Sequence, residues 1–211
     1  MNDESAAARS GSAGGEDTEG GVWLTVHDVK QWRYCRRVVY YQRLVPVVGR
    51  PTFKMEHGRV AEIDLDRLER RRKLREYGLD GGTRHFRVAL KSARYRINGT
   101  ADLIVETAGA VFPVDFKFTE GPCRANHVTQ LAAYALLAAE QFGRPSERGF
   151  VYRVPQEVVD VVDLTEERKG GVVAALRAIR EMIAGAACPD GTPVRARCLS
   201  CEYRNYCADQ F

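Results

Sequence analysis

The amino-acid sequence predicts an α/β domain in which helices flank a mixed central β-sheet. Apolar residues recur at helical spacing in several segments, and other segments alternate apolar and polar residues as strands do. The order is helices, three strands, a helix, two strands and a helix, which suits helices packed around one sheet. A chain of 211 residues with 45% hydrophobic content can bury the core of one such domain.

The N-terminal region divides into a tail and a first helix. Residues 1–21 contain almost no large apolar side chain, so we expect a disordered tail there and a folded domain over 22–211. Apolar and aromatic residues then predict a helix over 22–43. Thr25 suits its N-cap, and Asp28 three residues later completes a capping box.

Proline and glycine predict a loop over 44–53, and a second helix follows over 55–77 until Gly78 ends it. Many of the cations of the chain lie in Arg67–Glu76. Two interpretations remain open for this segment. It is either a solvated helix face with pairs such as Glu69 and Lys73, or a surface that contacts phosphates.

The middle of the chain predicts a meander of three antiparallel strands, with a hairpin at Ala108-Gly109. An Ala- and Leu-rich helix follows, and Gly143 ends it. Two further strands precede a last helix that begins after the N-cap Thr165. The predicted bounds are 84–90, 95–107 and 110–118 for the meander, 127–143 for the helix, 147–164 for the strand pair and 165–185 for the last helix.

Neither a secretory signal nor a membrane-length apolar run is evident in the sequence. We therefore expect a cytoplasmic protein with no membrane partner. Six cysteines in such a chain predict metal binding rather than disulfides.

Two opposite charges, Asp115 and Lys117, interrupt the apolar strand VFPVDFKF and project from one face of it. Alone, this pair is most simply a structural ion pair. Asp102, however, lies on the preceding strand and can approach Asp115 across the hairpin. Two carboxylates and a lysine are what a phosphodiester-cleaving site with Mg²⁺ or Mn²⁺ requires.

Three motifs in this order, GTAD (Gly99–Asp102), DFK (Asp115–Lys117) and QLAAY (Gln130–Tyr134), resemble the RecB-like branch of the PD-(D/E)XK nuclease superfamily. The resemblance implies a restriction-endonuclease-like core with a mixed central sheet.

The same resemblance implies a role for each residue of these motifs. Asp102 and Asp115 would ligate the metal and Lys117 would be catalytic. Gln130 and Tyr134 would complete the catalytic set and line the site near the DNA; without the resemblance they form the polar stripe of a core helix.

An upstream metal ligand belongs to the same family pattern. The segment GRVAE places Glu62 in the ligand position after Gly58, while His57 stands just before that glycine. We favour Glu62 because a carboxylate suits Mg²⁺ or Mn²⁺, and His57 stays open as the alternative.

The C-terminal sequence CLSCEYRNYC contains Cys198, Cys201 and Cys207 within ten residues, which is a strong metal signal. The fourth ligand would be either Cys35 or Cys188. Zinc is chemically compatible with four thiolates, but zinc sites usually pair two C-x₂-C knuckles and this chain has one.

An early cysteine, a RecB-like centre and a terminal cysteine triplet together resemble the CRISPR-associated RecB-family exonucleases that serve spacer acquisition. This resemblance implies a [4Fe–4S] cluster that joins the N- and C-terminal segments. Its ligands would be Cys35, Cys198, Cys201 and Cys207, which leaves Cys123 and Cys188 as spare thiols.

The implied activity is that of a Mg²⁺- or Mn²⁺-dependent deoxyribonuclease. It would trim single-stranded overhangs of captured duplex DNA together with a CRISPR integrase complex. Three alternatives stay open: an accessory DNA-binding subunit of the integrase that recognises a flanking motif, a nuclease of recombination or repair, and a zinc-stapled structural protein. The second would need a separate ATPase, because this sequence has no G-x-x-x-x-G-K-[ST] motif.

Overall fold

One mixed sheet organises the described part of the chain, which comprises residues 21–45, 69, 72–118 and 121–207 of a computed structural model. Its strands are β1 (Leu24–Thr25), β2 (Thr83–Ser92), β3 (Ile97–Glu106), β4 (Val111–Lys117), β5 (Arg148–Arg153) and β6 (Val158–Asp163). The helices are α1 (Val26–Tyr34), α2 (Arg36–Leu44), α3 (Ala125–Phe142) and α4 (Glu166–Gly185), with short 3₁₀ helices at Leu74–Tyr77, Val154–Gln156 and Arg195–Ser200.

The sheet order is β1-β3-β4-β5-β6, and β2 also pairs with β3. Strands β2, β3 and β4 form the predicted antiparallel meander, and the hairpin closes where the Thr107 amide donates to the Ala110 carbonyl oxygen at 2.9 Å. Strands β4 and β5 are parallel, so their connection must cross over the sheet, and α3 supplies that crossover. The prediction of a mixed sheet flanked by helices is confirmed.

Each face of the sheet has its own core. Helices α1, α3 and α4 cover one face, where Leu131, Leu137 and Leu176 are fully buried with strand residues such as Ile104. On the other face the aromatic rings of Tyr77, Phe112 and Phe150 pack with Leu103 and Val114. Strand β4 is therefore buried on both sides, as its apolar sequence requires.

The ends of the later helices follow the predicted signals. Helix α3 ends at Gly143, whose φ of 64° is the left-handed conformation that glycine adopts without strain. Helix α4 begins after Thr165, whose side chain accepts a hydrogen bond from the Arg168 amide. Residues 74–77 end at Gly78 in the same left-handed conformation, whereas most of the helix predicted over 55–77 lies outside the described residues.

The single helix predicted over 22–43 is wrong. The chain first forms the short strand β1, and the helical part is then broken at Cys35, whose φ and ψ of −161° and 121° are those of extended backbone. No glycine or proline marks this break in WRYCRR. Contacts with residues far along the chain, in the C-terminal segment, are its physical reason. The break turns Cys35 toward the C-terminal segment, as described below.

The start of α1 confirms the predicted capping box. Asp28 accepts a hydrogen bond from the Thr25 amide at 2.6 Å, and the Thr25 hydroxyl oxygen accepts one from the Asp28 amide at 3.1 Å. Arg43 of α2 also donates to the buried Asp28 carboxylate, with its Nε 2.9 Å from Oδ1. Burial pushes the pKa of Asp28 upward, but Arg43 and the capping bonds outweigh it and leave the pKa below its ordinary value.

We expect Asp28→Asn to lower the free energy of unfolding by about 2–4 kcal/mol, because Arg43 loses its partner and the cap is weakened. The depressed pKa gives the pH dependence. The stabilisation is complete above the ordinary pKa of 3.8 and is lost as the pH falls through the lower folded-state pKa. Urea unfolding at neutral and acidic pH measures both effects. The exposed Asp80→Asn serves as control; equal stabilities of the two variants at neutral pH would contradict the assignment.

No helix in the described ranges is long and apolar enough to span a membrane.

Candidate functional site

Asp102, Asp115 and Lys117 meet at one end of the β3–β4 pair. The last registered partners there are Leu103 and Val114, and each aspartate is one residue further along its strand. The Asp102 carboxylate accepts a hydrogen bond from the Phe116 amide at 3.0 Å, which fixes it across the hairpin beside Asp115. The sequence prediction that these two strands place the carboxylates together agrees with this arrangement.

The ion pair of this site is buried. Lys117 Nζ lies 2.5 Å from Asp115 Oδ2, and the two side chains are 16% and 1% exposed. Apart from this ion pair, Oδ2 accepts no hydrogen bond among the described residues, and the buried Oε1 of Gln130 accepts none. Buried oxygen atoms without a donor are costly, and carboxylate and amide oxygens are the atoms that Mg²⁺ or Mn²⁺ binds. The donor set therefore fits such an ion.

Tight packing at Gly99 positions the beginning of this arrangement. A Cβ atom on Gly99 would come within 2.8 Å of Val26 on α1 and 3.2 Å of the Tyr134 ring on α3. The glycine thus lets two helices pack closely on β3. Tyr134 then donates a hydrogen bond to the Thr100 carbonyl oxygen at 2.6 Å, two residues before Asp102. Burial, and secondarily the Asp102 charge, raises the pKa of Tyr134, which stays a neutral donor.

Two further residues, Lys30 and His127, face the same charges and were not predicted. Burial and the neighbouring Lys117 lower the pKa of Lys30 to about 8, while the two aspartates partly oppose this effect. Burial and Lys117 likewise lower the pKa of His127 to about 4, so its ring is neutral at pH 7.

Helical spacing was the signal for both. Lys30 is four residues after the buried Val26 on α1, and His127, Gln130 and Tyr134 follow one face of α3 at i, i+3 and i+7. Only the packing of α1 against α3 brings the two faces together. Gln130 and Tyr134 lie on the same face of α3 as His127, and their role in the site stays a prediction of the motif resemblance.

Glu62, the predicted third ligand, and its alternative His57 lie outside the described residues. Four of the ten positions of the basic segment 67–76 lie outside them too, namely 67, 68, 70 and 71. Arg72 of this segment and Arg84 of β2 hold a buried carboxylate: Arg72 Nε and Arg84 Nε lie 3.1 and 3.5 Å from the oxygens of Glu69.

A small cavity gathers four of the six cysteines. Cys35, at the break between α1 and α2, lines it together with the C-terminal Cys198, Cys201 and Cys207. Burial raises the pKa of Cys201, and the neighbouring thiols of Cys35 and Cys198 raise it further. Cys188 is exposed and is not part of the lining, and Cys123 lies near the charges of Asp160 and Asp115 instead.

Side chains of α1 and α2 hold the C-terminal segment in place around this cavity. Tyr34 donates to the Arg197 carbonyl oxygen at 3.2 Å, and Arg37 Nε donates to the Pro189 carbonyl oxygen at 2.9 Å. Arg37 Nη1 also lies 3.6 Å from Cys207 Sγ, and the rings of Tyr41 and Tyr203 stack with centroids 5.3 Å apart. The two ends of the domain therefore meet at the cysteines.

Within the described ranges, no three His, Cys, Asp or Glu side chains converge closely enough to hold a single metal ion. For the catalytic site, the described chain supplies the carboxylates of Asp102 and Asp115, and the predicted third ligand is at one of the undescribed positions. For the cysteines, the four thiols surround a common cavity whose volume is ≈ 470 Å³, counting the part open to solvent. Four thiolates are a donor set that suits iron–sulfur clusters and zinc alike.

Comparison with known proteins gives concordant matches. The PD-(D/E)XK nuclease superfamily matches residues 34–208. A CRISPR-associated exonuclease Cas4 of Francisella tularensis subsp. novicida is 30% identical over 89% of this chain and 94% of its own length. A protein of the same name from Aeropyrum pernix is 27% identical over 85% and 92%. The crystal structure of SSO0001 shares the fold, with a TM-score of 0.54 at 15% identity over 95% of this chain and 90% of that one.

Proposed function

Because the chain belongs to the PD-(D/E)XK nuclease superfamily, in its CRISPR-associated RecB-like branch, we propose that it trims single-stranded overhangs of captured DNA during CRISPR spacer acquisition. The observation that carries the proposal is the group of Asp102, Asp115 and Lys117 on one face of the sheet, in which the buried Asp115 is paired with Lys117. An integrase complex would be the partner that receives the trimmed DNA.

Asp102 and Asp115, with Glu62 or His57 as third ligand, would hold Mg²⁺ or Mn²⁺. When bound, such an ion supplies an activated water molecule and shields the charge of the phosphate. Lys117 is close enough to Asp115 to orient a water molecule beside the carboxylate and to offset negative charge in the transition state. Lys30 adds a second cation opposite the phosphate, and the neutral His127 offers a hydrogen bond without adding charge.

The other two residues of the proposed site, Tyr134 and Gln130, would have positioning roles. The Tyr134 hydroxyl holds the Thr100 carbonyl oxygen and thereby the part of β3 that leads to Asp102. The buried amide oxygen of Gln130, on the same helix face as Tyr134, has no hydrogen-bond donor among the described residues, and it would accept one from substrate or water.

A [4Fe–4S] cluster would be bound by Cys35, Cys198, Cys201 and Cys207. The proposal is supported by their common cavity and by the hydrogen bonds that join α1 and α2 to the C-terminal segment. The role of these residues is structural in this proposal: the cluster would hold the two ends of the domain together.

Cleavage of an end-labelled duplex with single-stranded overhangs, with Mg²⁺, with Mn²⁺ and with EDTA, tests the activity. We expect Lys117→Met to lower the cleavage rate about 10²–10³-fold, a typical effect of removing a charge-stabilising group from an active site. The matched control is Lys91→Met, because Lys91 is an exposed lysine of β2 that lies over the Trp23 ring. Cleavage by Lys117→Met at the wild-type rate, or full cleavage in EDTA, would refute the proposed site.

The same assay separates the accessory-subunit alternative. A nuclease cuts as the isolated chain, and its metal-free form binds DNA without cutting. An isolated chain that binds DNA but stays inactive with both metals would favour a recognition subunit.

A further inference from the structure

A groove runs between α1, α3, α4 and the C-terminal segment. Its lining residues differ from those of the catalytic centre. Its volume is ≈ 2070 Å³, counting the space open to solvent. None of Asp102, Asp115 and Lys117 lines it. Nothing in the proposed cleavage chemistry uses this groove, so its own composition must indicate what it holds.

The charge of the groove is strongly positive. Four arginines line it and one acidic residue, Asp190, does so. Arg33, Arg36 and Arg168 are exposed. The fourth, Arg197, donates to the Tyr34 carbonyl oxygen at 2.5 Å. Guanidinium groups arranged along a groove bind a chain of phosphates, because each carries several donors and a permanent charge.

Aromatic rings stand among these charges. Trp32 is half-buried in the wall of the groove, and the Arg36 guanidinium lies 5.5 Å from its ring centroid. Tyr34 lines the same groove. Rings beside cations form a surface on which unpaired bases stack, whereas the bases of a duplex are already stacked on each other. This composition favours a single strand over a duplex.

One wall of the groove is built from small residues of α4. Gly171, Ala174, Ala175 and Ala178 follow the i, i+3, i+4, i+7 pattern of one helix face. A Cβ atom at Gly171 would meet nothing within 4 Å, so core packing does not require this glycine. Glycine inside a helix costs about 1 kcal/mol relative to alanine, and the space kept open by it is the space of the groove.

The groove lies next to the catalytic centre on the same two helices. Val128 and Thr129 line it on α3, between His127 and Gln130 of the site, and Val29 lines it on α1 beside Lys30. The groove and the catalytic centre therefore use adjacent faces of the same two helices.

We propose that this groove binds a single strand of DNA through its phosphates and unpaired bases and guides it to the catalytic centre. The inference rests on the proposed nuclease function, since it names where the substrate strand lies. Arg33, Arg36 and Arg168 contact phosphates, and Trp32 stacks on a base.

The test is binding of a fluorescein-labelled oligothymidine to the full chain in EDTA, measured by fluorescence anisotropy so that no cutting occurs. Gly170 and Gly171 give a matched pair, because a Cβ atom meets nothing within 4 Å at either position and only Gly171 lines the groove. We expect Gly171→Glu to weaken binding about tenfold or more by filling the groove with negative charge, while Gly170→Glu stays within about twofold of wild type.

A second pair tests the charges. Arg33→Glu is expected to weaken binding about tenfold and to reduce the slope of log K against log salt by about 0.7 for each phosphate that the groove no longer neutralises. Arg177→Glu makes the same charge change at an exposed position of α4 that does not line the groove, and we expect it to alter neither quantity by as much. Thermal melts confirm that all four variants are folded.

The outcomes distinguish the two proposals. If wild type binds the oligonucleotide and Gly171→Glu and Arg33→Glu bind it as well as their controls do, the groove assignment is overturned and the nuclease function stands. If wild type binds no single-stranded DNA at all, the proposed function fails first, and the groove proposal fails with it.

Discussion

Asp115→Asn is expected to lower DNA cleavage about a thousandfold or more while the fold is retained. A metal ion in a phosphodiesterase contributes several kcal/mol of charge stabilisation in the transition state, and each 1.36 kcal/mol corresponds to a factor of about ten in rate. Asparagine preserves the shape of the buried side chain but removes the charge that would bind the proposed metal ion and that pairs with Lys117, whose Nζ is 2.5 Å away.

Two measurements separate this effect from unfolding. Thermal melts are expected to show a cooperative transition whose midpoint is lowered by the loss of the Lys117 partner but stays above the assay temperature. Titration with Mn²⁺ followed by calorimetry is expected to show weakened metal binding. Asp163→Asn, a change at an exposed position of β6, is the control and retains full cleavage. Full cleavage by Asp115→Asn would remove Asp115 from the catalytic site.

Cys35→Ser is expected to yield a colourless protein that melts at a temperature about 10–15 °C lower than wild type. A link between Cys35 and the C-terminal cysteines closes a loop that contains most of the domain. Such a cross-link lowers the entropy of the unfolded chain and thereby adds about 4–5 kcal/mol to the free energy of unfolding. For a domain of this size each kcal/mol shifts the melting midpoint by about 2–4 °C. Metal bound at such a staple contributes directly to folding.

Anaerobic purification followed by assays of iron and acid-labile sulfide tests for the proposed cluster directly. Cys188→Ser and Cys123→Ser are the matched controls, because neither thiol lines the four-cysteine cavity, and both variants are expected to stay brown. If the Cys35→Ser protein were brown and the Cys188→Ser protein colourless, the fourth ligand would be Cys188 and not Cys35. A colourless wild type that holds one zinc ion per chain would contradict the cluster.

Much of the fold was predictable because its signals are local. The helix end at Gly143, the start of α4 after Thr165, and the turn between β3 and β4 each depend on a few neighbouring residues whose conformational preferences are strong. The break at Cys35 has no such signal. Its flanking residues are all acceptable in a helix, and the extended conformation is set by contacts with residues far along the chain, such as the hydrogen bond from Tyr34 to Arg197.

The candidate site divides in the same way. The pair Asp102 and Asp115 could be predicted because a hairpin fixes which residues of its two strands lie opposite each other. Helical spacing could place Lys30 and His127 on a helix face but not near the aspartates, because that position depends on how α1 packs against α3. Helix packing angles and distances follow from whole side-chain surfaces and are not readable from one motif.

Gly99 bears on how such a site can be altered. The missing side chain at this position sets the clearance between a strand and two helices, since a single added carbon would approach Val26 to 2.8 Å. The distance between β3 and the two helices therefore depends on Gly99, which lies on the same strand as Asp102 and precedes it. If the proposed metal site is to be resized for a larger ion, residue 99 is therefore the position to change, and the aspartates can stay as they are.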